Sequence, residues 1–370
     1  MSAETSEELA EALGRAFPQL AIVRERAGGE PVYLVGGAVR DLLLGRALGD
    51  IDLVIEGDAS GLARRLGAVV VQHERFCTAR TRLGEHEIDV AAARTETYPR
   101  PGALPEVRPS TLAEDLARRD FTINSMAIPL AGEPVVVDPY RGRGDLAGGV
   151  LRVLHQRSFL DDPTRALRAA RYCARFDFAL EEKTAALLAQ ADLSSVSEDR
   201  RRAELLRLAS ETEALRGIEL AVQWKLIEPR PGGIELAEAV ESLIADPPWS
   251  EVAERPAALL AAALGPPGGE LELAAAVPRT PSEAVKLARE RKPVELVLAR
   301  AGGAEWLDRY LTEWSGIGLE IDGSDLIAAG VPEGPALGRG LGEALRRKLD
   351  GELVGREQEL AAALAVARGD

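Results

Sequence analysis

The chain is poor in the residues that build covalent or metal-based scaffolds. Its two cysteines, Cys77 and Cys173, are too few for a disulfide framework and are expected as small buried hydrophobes. The three histidines, His73, His86 and His155, all lie in the first 155 residues; no His and Cys metal cluster can be assembled, and each reads as structural or exposed. No apolar run approaches the ~20 residues that a membrane span needs. The start, MSAETSEELAEAL, is an acidic amphipathic helix rather than a signal peptide. A cytoplasmic protein with no membrane partner is expected. Basic residues are also in deficit, with 45 Lys and Arg against 60 Asp and Glu and a formal charge of −15. That balance argues against a bulk polyanion binder, DNA included, because counterion release needs clustered cations. No repeat of solenoid period is evident.

What remains is ample. With 370 residues, 46% of them apolar, the chain can form several compact units. Residues 1–30 read as helical; 31–35, 51–55, 68–72, 76–82, 86–92 and 134–138 read as short strands, with helices at 38–45 and 59–66. After about residue 150 the pattern is almost wholly helical, rich in Ala, Leu, Glu and Arg. An α/β head followed by a long helical remainder is the expected architecture, with loops at the Pro and Gly clusters 230–233, 246–249, 265–269, 321–325 and 330–338.

The most informative stretch is LVGGAVRDLLLGRALGDIDLV, residues 34–54. A strand runs into the Gly36-Gly37 turn, a helix opens near Arg40 and Asp41, and a second strand carries Asp50 and Asp52. Carboxylates two apart on a strand share a face. A glycine turn lets backbone N–H groups approach phosphate with no Cβ in the way. Asp50 and Asp52 are therefore candidate ligands for two Mg²⁺ ions about 4 Å apart, which take oxygen donors and can serve nucleotidyl transfer. Asp89, in EIDVAAAR, is a candidate third carboxylate, with Glu87 two residues earlier as the alternative.

Three further constellations accompany this site. LAEDLARRDFTINSMA, residues 112–127, places Arg118, Arg119, Asp120 and Asn124 at a helix end, where Arg forks suit phosphates and Asp and Asn suit ribose hydroxyls. SFLDDPTRALRAARYCARF, residues 158–176, opens a helix on Asp161 and Asp162 and continues with Arg165, Arg168, Arg171 and Arg175. Asp162 and Arg165, three apart, are expected on one face. A fixed carboxylate beside a fixed guanidinium matches the pairing edges of C and A and leaves unpaired groups against G and U. VSEDRRRAELL, residues 196–206, puts Asp199, Arg200 and Glu204 on a helix that either simply starts there or braces its neighbour. The Pro- and Gly-rich run 94–110 reads as a mobile flap or a plain surface loop. With Arg152, Arg157 and the Arg200 to Arg207 group nearby, an acidic protein can present one basic cleft.

In this order, LVGGAVRDLLLG with DIDLV, RRDFTINSMA, DDPTRALRAARY and VSEDRRRAEL resemble the class II tRNA nucleotidyltransferases, the superfamily that also contains bacterial poly(A) polymerases. The carboxyl-terminal stretch IDGSDLIAAGVPEGPALGRGLGEALRRKLDGEL is similar to their last domain, with less specificity. The resemblance implies an α+β fold: a polymerase-β-like nucleotidyltransferase head with a small mixed β-sheet, then an all-α neck, body and tail. The corresponding divisions are 1–150, 151–215, 216–300 and 301–370. It implies an enzyme that adds C, A or both from CTP and ATP to the 3′ end of tRNA, releasing pyrophosphate. Asp50 and Asp52 would hold metal; Gly36, Gly37 and Arg40 would serve the triphosphate. Arg118, Asp120 and Asn124 would hold ribose and phosphates, and Asp162 and Arg165, with Arg168 in support, would read the base. The expected partner is the tRNA acceptor end, along a helical half where Lys286, Arg289, Arg291 and Lys292, and also Arg346, Arg347 and Lys348, are weaker contact candidates. A monomer is favoured. Two departures from the family pattern are Asp161 where Glu is usual and Asp199 in place of the Glu of ERxxxEL. No His-Asp phosphohydrolase domain follows the neck. The competing readings are a poly(A) polymerase acting on general RNA, a small-molecule nucleotidyltransferase, and a non-catalytic RNA-binding descendant. The last would have lost the carboxylates that this chain keeps.

Overall fold

The computed structural model describes residues 5–49, 51–73, 77–84 and 86–369. The first four residues of the expected amino-terminal helical stretch, the predicted metal ligand Asp50 and the start of the 76–82 strand lie outside them, as does the side chain of His73. The chain divides into two compact units, Met1–Ile227 and Glu228–Asp370.

In the first unit, two helices, α1 (Ser6–Ala16) and α2 (Leu20–Ala27), precede the sheet. Thr5 and Glu8 close the start of α1 reciprocally: Thr5 Oγ1 accepts from Glu8 N at 3.2 Å and Glu8 Oε2 from Thr5 N at 2.9 Å, which satisfies two otherwise orphaned donors. Among the described residues, the main sheet has the order β3-β4-β5-β2-β1-β8. Its strands are β1 (Val32–Val35), β2 (Ile51–Ile55), β3 (Ala68–His73), β4 (Thr78–Leu83), β5 (His86–Ala92) and β8 (Ala127–Pro129). β2 and β5 run parallel and the other neighbours antiparallel, so the sheet is mixed. Helices α3 (Gly37–Leu43) and α4 (Ala59–Leu66) complete the head. Leu34, Leu53, Ile55, Leu62, Leu66 and Ile88 are fully buried at the centre, each such side chain contributing about 1.5–3 kcal/mol.

Two sequence expectations change here. Residues 134–138 form no strand and touch the sheet only through a bridge from Val137 to Ala127. The second antiparallel neighbour of β1, beside β2, is instead the short apolar segment β8, which the spacing hid. The run 94–110, expected as a loop, contains a hairpin, β6 (Arg94–Thr97) and β7 (Glu106–Pro109). Pro99, Pro101, Gly102 and Pro105 sit between the strands, while Pro109 is the last residue of β7, a strand-end position that tolerates proline.

Helix α5 (Leu112–Ala117) follows, packed through Leu112 and Leu116 on a second small core with Val35, Val54, Ala93 and Ala127. Then come α6 (Gly142–Ala147), β9 (Val150–Leu151), α7 (Ser158–Asp161), α8 (Thr164–Phe176), β10 (Ala179–Leu180), α9 (Glu182–Leu187), α10 (Glu198–Ala209) and α11 (Ala214–Gln223). β9 and β10 form a small parallel pair. Cys173 is 2% exposed in this core and burial pushes its thiol up to about 12; Cys77 is half-buried and not in a disulfide.

The second unit is helical: α12 (Gly233–Leu243), α13 (Arg255–Leu264), α14 (Gly269–Ala275), α15 (Pro281–Ala288), α16 (Pro293–Ala301), α17 (Trp306–Arg309), α18 (Gly323–Ala328), α19 (Pro335–Leu349) and α20 (Arg356–Arg368). Pro281, Pro293 and Pro335 each occupy a first-turn position, where a missing N–H costs nothing. No helix among the described residues is long and apolar enough to cross a membrane.

Candidate active site

A cavity of about 960 Å³ in the first unit gathers the end of β1, the glycine turn, β2, β4, β5, the hairpin, and helices α8 and α10. At its floor the sheet register aligns one row of residues: Val71 on β3 opposes Arg80 on β4, Arg80 opposes Asp89 on β5, and Asp89 lies beside Asp52 on the parallel strand β2. Adjacent residues in register share a face, so Asp52 and Asp89 are neighbours lining one cavity. Arg80 grips Asp89 with both arms of its fork, Nε to Oδ1 at 2.7 Å and Nη2 to Oδ2 at 2.8 Å. Glu87, the alternative third carboxylate, is paired with Arg82 at 2.9 Å and is not among the lining residues.

Gly36 makes the turn out of β1. Its φ of 67° and ψ of −129° belong to a region that side chains rarely adopt, and a Cβ there would meet Arg119 Nη1 at 2.6 Å. Its N–H is given to Met126 O at 3.2 Å, so this glycine supplies the shape of the turn rather than a free donor. Arg40 is 3% exposed. Its Nε and Nη2 donate to the two oxygens of Asp41 at 2.9 and 3.0 Å, and its Nη1 to Asn124 Oδ1 at 2.6 Å. The guanidinium also lies over the rings of Tyr172 and Phe176, 5.3 and 4.7 Å from their centroids. Those contacts tie α3 to α8.

The RRDFTIN segment is organised by Asp115, fully buried on α5. Arg118 and Arg119 each fork onto it, Arg118 on Oδ1 and Arg119 on Oδ2. Burial alone would raise the Asp115 carboxyl, but the two guanidiniums outweigh it and hold it below the ordinary range. Arg118 Nη1 reaches on to Glu96 Oε1 in the hairpin at 2.6 Å, and Tyr98 donates to the other oxygen of Glu96 at 2.9 Å. Burial and the Glu96 charge push the Tyr98 phenol up, so it stays a donor. The hairpin is thus fastened at its base to α5. Its turn is fastened to α10, where Arg200 Nη1 donates to Gly102 O at 2.8 Å.

Asp162 differs from expectation in backbone. It is extended, φ −133° and ψ 93°, between α7 and α8 rather than inside one helix. Pro163 opens α8, and Asp162 Oδ1 accepts from Thr164 N and Oγ1 at 3.1 and 2.6 Å and from Arg200 Nη2 at 2.9 Å. Arg165, 3% exposed, donates to Ser158 Oγ at 2.8 Å and to Arg118 O at 2.7 Å. Both side chains line the cavity, held by separate anchors. Arg165, Arg168, Tyr172 and Arg175 follow one stripe of α8. Arg168 is a hub: Nε meets Glu204 Oε1 at 3.1 Å, Nη1 lies 3.7 Å from Asp120 Oδ2, and Nη2 4.0 Å from Asp162 Oδ2. Asp120 Oδ1 in turn accepts from Phe121 N and Asn124 Nδ2. For Asp120 and Asp162 burial works to raise the carboxyl, yet Arg168 and the hydrogen bonds prevail and both lie below the ordinary range. Arg168 lies above its ordinary value for the matching reason.

Reading the motifs alone overlooked several lining residues. Tyr98 and Glu96 were hidden in a supposed loop. Arg171, named in the arginine series of this helix but given no role there, lines the cavity with a buried Nε that has no hydrogen-bond partner. Ser158 positions Arg165 and carried no signal. In the second unit, Lys286, Arg291 and Lys292 line a separate cavity of about 760 Å³ with Glu283, Glu290 and Glu295. Arg289 caps the end of α15 and Arg291 is paired with Glu272 at 2.6 Å. Arg346, Arg347 and Lys348 are each engaged by Glu or Asp of the same unit.

Among the described residues no group of three or more His, Cys, Asp or Glu comes together as a metal site. Asp52 and Asp89 supply two adjacent hard oxygen donors, a set that suits Mg²⁺ when substrate oxygens and water complete its shell.

Comparison with known proteins gives a consistent picture. The poly(A) polymerase head domain family matches residues 32–152. An A-adding tRNA nucleotidyltransferase of Halalkalibacterium halodurans is 47% identical over 195 residues, 49% of this chain and 46% of that protein. The chain spans less than half the length of the A-adding relatives it matches. A CC-adding tRNA nucleotidyltransferase of Deinococcus radiodurans is 34% identical across 90% of this chain and 89% of its own length. Among solved structures, a CCA-adding enzyme in an apo form superposes with a TM-score of 0.80 at 32% identity, covering 96% of this chain and 98% of that one. The Thermotoga maritima CCA-adding enzyme complexed with tRNA gives 0.74 at 30%, covering 96% and 98%. A CCA-adding enzyme complexed with ATP gives 0.79 at 30%, covering 98% of both. With its mixed-sheet head, helical remainder and full-length similarity to such proteins, the chain belongs to the tRNA nucleotidyltransferase family.

Proposed function

We propose that this protein is a cytoplasmic, Mg²⁺-dependent tRNA nucleotidyltransferase that adds C, A or both from CTP and ATP to the 3′ end of tRNA without a nucleic-acid template. The observation that carries the reading is the placement of Asp162 and Arg165, a buried carboxylate and a buried guanidinium with separate anchors, on the same cavity as Asp52 and the glycine turn. In this reading the head is 1–150, the neck 151–215, the body 216–300 and the tail 301–370.

The 3′ oxygen of the RNA attacks the α-phosphorus; one P–O bond forms, the bond to the β-phosphate bridging oxygen breaks, and pyrophosphate departs. Asp52 and Asp89, with Asp50, would hold two Mg²⁺ ions, which supply Lewis-acid activation of the attacking oxygen and neutralise the leaving one. Gly36 and Gly37 shape the turn beside the triphosphate, while Arg40 supports it through Asn124 and Asp41. Arg118, Arg119 and Arg171 furnish phosphate contacts, and Asp120 and Asn124 the ribose contact. Asp162 accepts from the amino group of the incoming base and Arg165 donates to its ring nitrogen, so G and U leave buried groups unpaired, a mismatch that can cost several orders of magnitude. Lys286, Arg289, Arg291 and Lys292 are proposed RNA contacts.

The test is incubation with labelled ATP or CTP and tRNA ending before CCA, before CA or before A. Label entering one acceptor class assigns the subtype. Equal labelling of unrelated RNA would favour a general RNA-tailing enzyme, and label in no RNA would overturn the proposal.

A further inference from the structure

We propose that Arg80 is a positioning residue which acts as a resident counter-cation at Asp89, making divalent-ion binding depend on nucleotide; this rests on the metal-dependent reading above. Three observations combine. Arg80, Asp89 and Asp52 lie in one row across β4, β5 and β2 and line the same cavity. The Arg80 fork engages both oxygens of Asp89, at 2.7 and 2.8 Å, so the carboxylate beside Asp52 already carries a matched positive charge. A carboxylate offers about four lone-pair directions, so a bidentate fork leaves Asp89 oriented and still able to accept a metal ion on its other edge.

The pair is also weak enough to share Asp89 with an incoming ion. Arg80 and Asp89 are 45% and 39% exposed, and pairs in that setting are weak because water competes for both charges. Glu87 does not need Arg80, since Arg82 serves it at 2.9 Å while Arg80 stands 3.7 Å away. In the nucleotide-free protein the guanidinium lowers the attraction of the Asp52 and Asp89 corner for a divalent ion. A triphosphate arriving with its own negative oxygens restores that attraction, and Arg80 keeps Asp89 aimed while the ion enters. Ion and nucleotide thereby bind as a set.

The experiment is Mn²⁺ titration followed by electron paramagnetic resonance, on the full chain, on Arg80→Gln, Arg80→Lys and Asp89→Asn, and on the Arg80→Gln, Asp89→Asn double variant, without nucleotide and with a non-hydrolysable CTP analogue. Without nucleotide, Arg80→Gln is expected to bind Mn²⁺ about five-fold or more tighter than the parent, because one positive charge next to the ion is gone. Arg80→Lys, which keeps the charge, is expected to stay near the parent. Asp89→Asn is expected to remove the effect of the Arg80 substitution in the double variant. With the analogue, the difference between parent and Arg80→Gln should shrink. Unchanged or weaker Mn²⁺ binding by Arg80→Gln overturns the proposal while leaving the catalytic reading intact. If the parent binds no Mn²⁺ even with the analogue, the catalytic reading falls and takes this one with it.

Discussion

Asp120 and Asp162 stay ionised in a buried setting because Arg168 and short hydrogen bonds outweigh desolvation. Both carboxyls lie below their unfolded values, so their stabilising contribution is complete above the ordinary carboxylate range and is lost only as pH falls through the lower folded values. Base selection should therefore be flat from about pH 6 to about pH 8.5, where neither group changes charge. Measuring CTP and ATP incorporation against UTP and GTP across that range checks it, and a midpoint near neutrality would contradict it. On the proposed reading, in which Arg165 donates to the base edge rather than to a phosphate, Arg165→Ala should relax discrimination against UTP and GTP by about ten-fold or more while changing tRNA affinity little. Asp52→Ala should abolish incorporation with an unchanged circular dichroism spectrum; retained activity would move the reaction elsewhere. Gly36→Ala should destabilise the first unit by about 1–3 kcal/mol, read as a lower urea midpoint, because a residue with a Cβ is strained at these turn dihedrals and the Arg119 guanidinium would have to shift.

Between elements, the organising contacts are ionic and cross long stretches of sequence. Glu204 on α10 is 4% exposed and answers Arg168 on α8. Glu204→Ala removes one of three carboxylates around that guanidinium, for an expected loss of about 1–3 kcal/mol; a urea midpoint unchanged from the parent would refute it. These pairings also show where sequence was readable. DIDLV and EIDV disclose their strands through alternation, but the parallel register that sets Asp89 beside Asp52 is visible only in the structure. RRDFTIN and DDPTR disclosed themselves as rare combinations. The hairpin at 94–109 did not, since prolines and glycines dominated its signal, and β8 did not, since three apolar residues have no measurable period. Asp162 is extended rather than helical, because helical spacing does not carry across Pro163, whose ring disfavours helix in the residue before it.

For the whole chain, a formal charge of −15 coexists with a cavity into which Arg40, Arg118, Arg165, Arg168 and Arg171 all face. The basic cluster Arg346 to Lys348 in the second unit is occupied by internal acids, so long-range attraction for RNA is small. tRNA affinity should fall with salt on a shallow double-logarithmic slope of about −2 to −4, equivalent to a few phosphate contacts. Filter binding between low and physiological salt measures it, and a slope near −10 would show an extended cationic track. One side chain links distant parts of the first unit more directly. Arg200 grips the carbonyl of Gly102 with one nitrogen and the carboxylate of Asp162 with the other. Like a single bolt through two plates, it lets neither shift alone. Lengthening the 98–105 turn by even one residue would thus tug on the carboxylate at the entrance to α8.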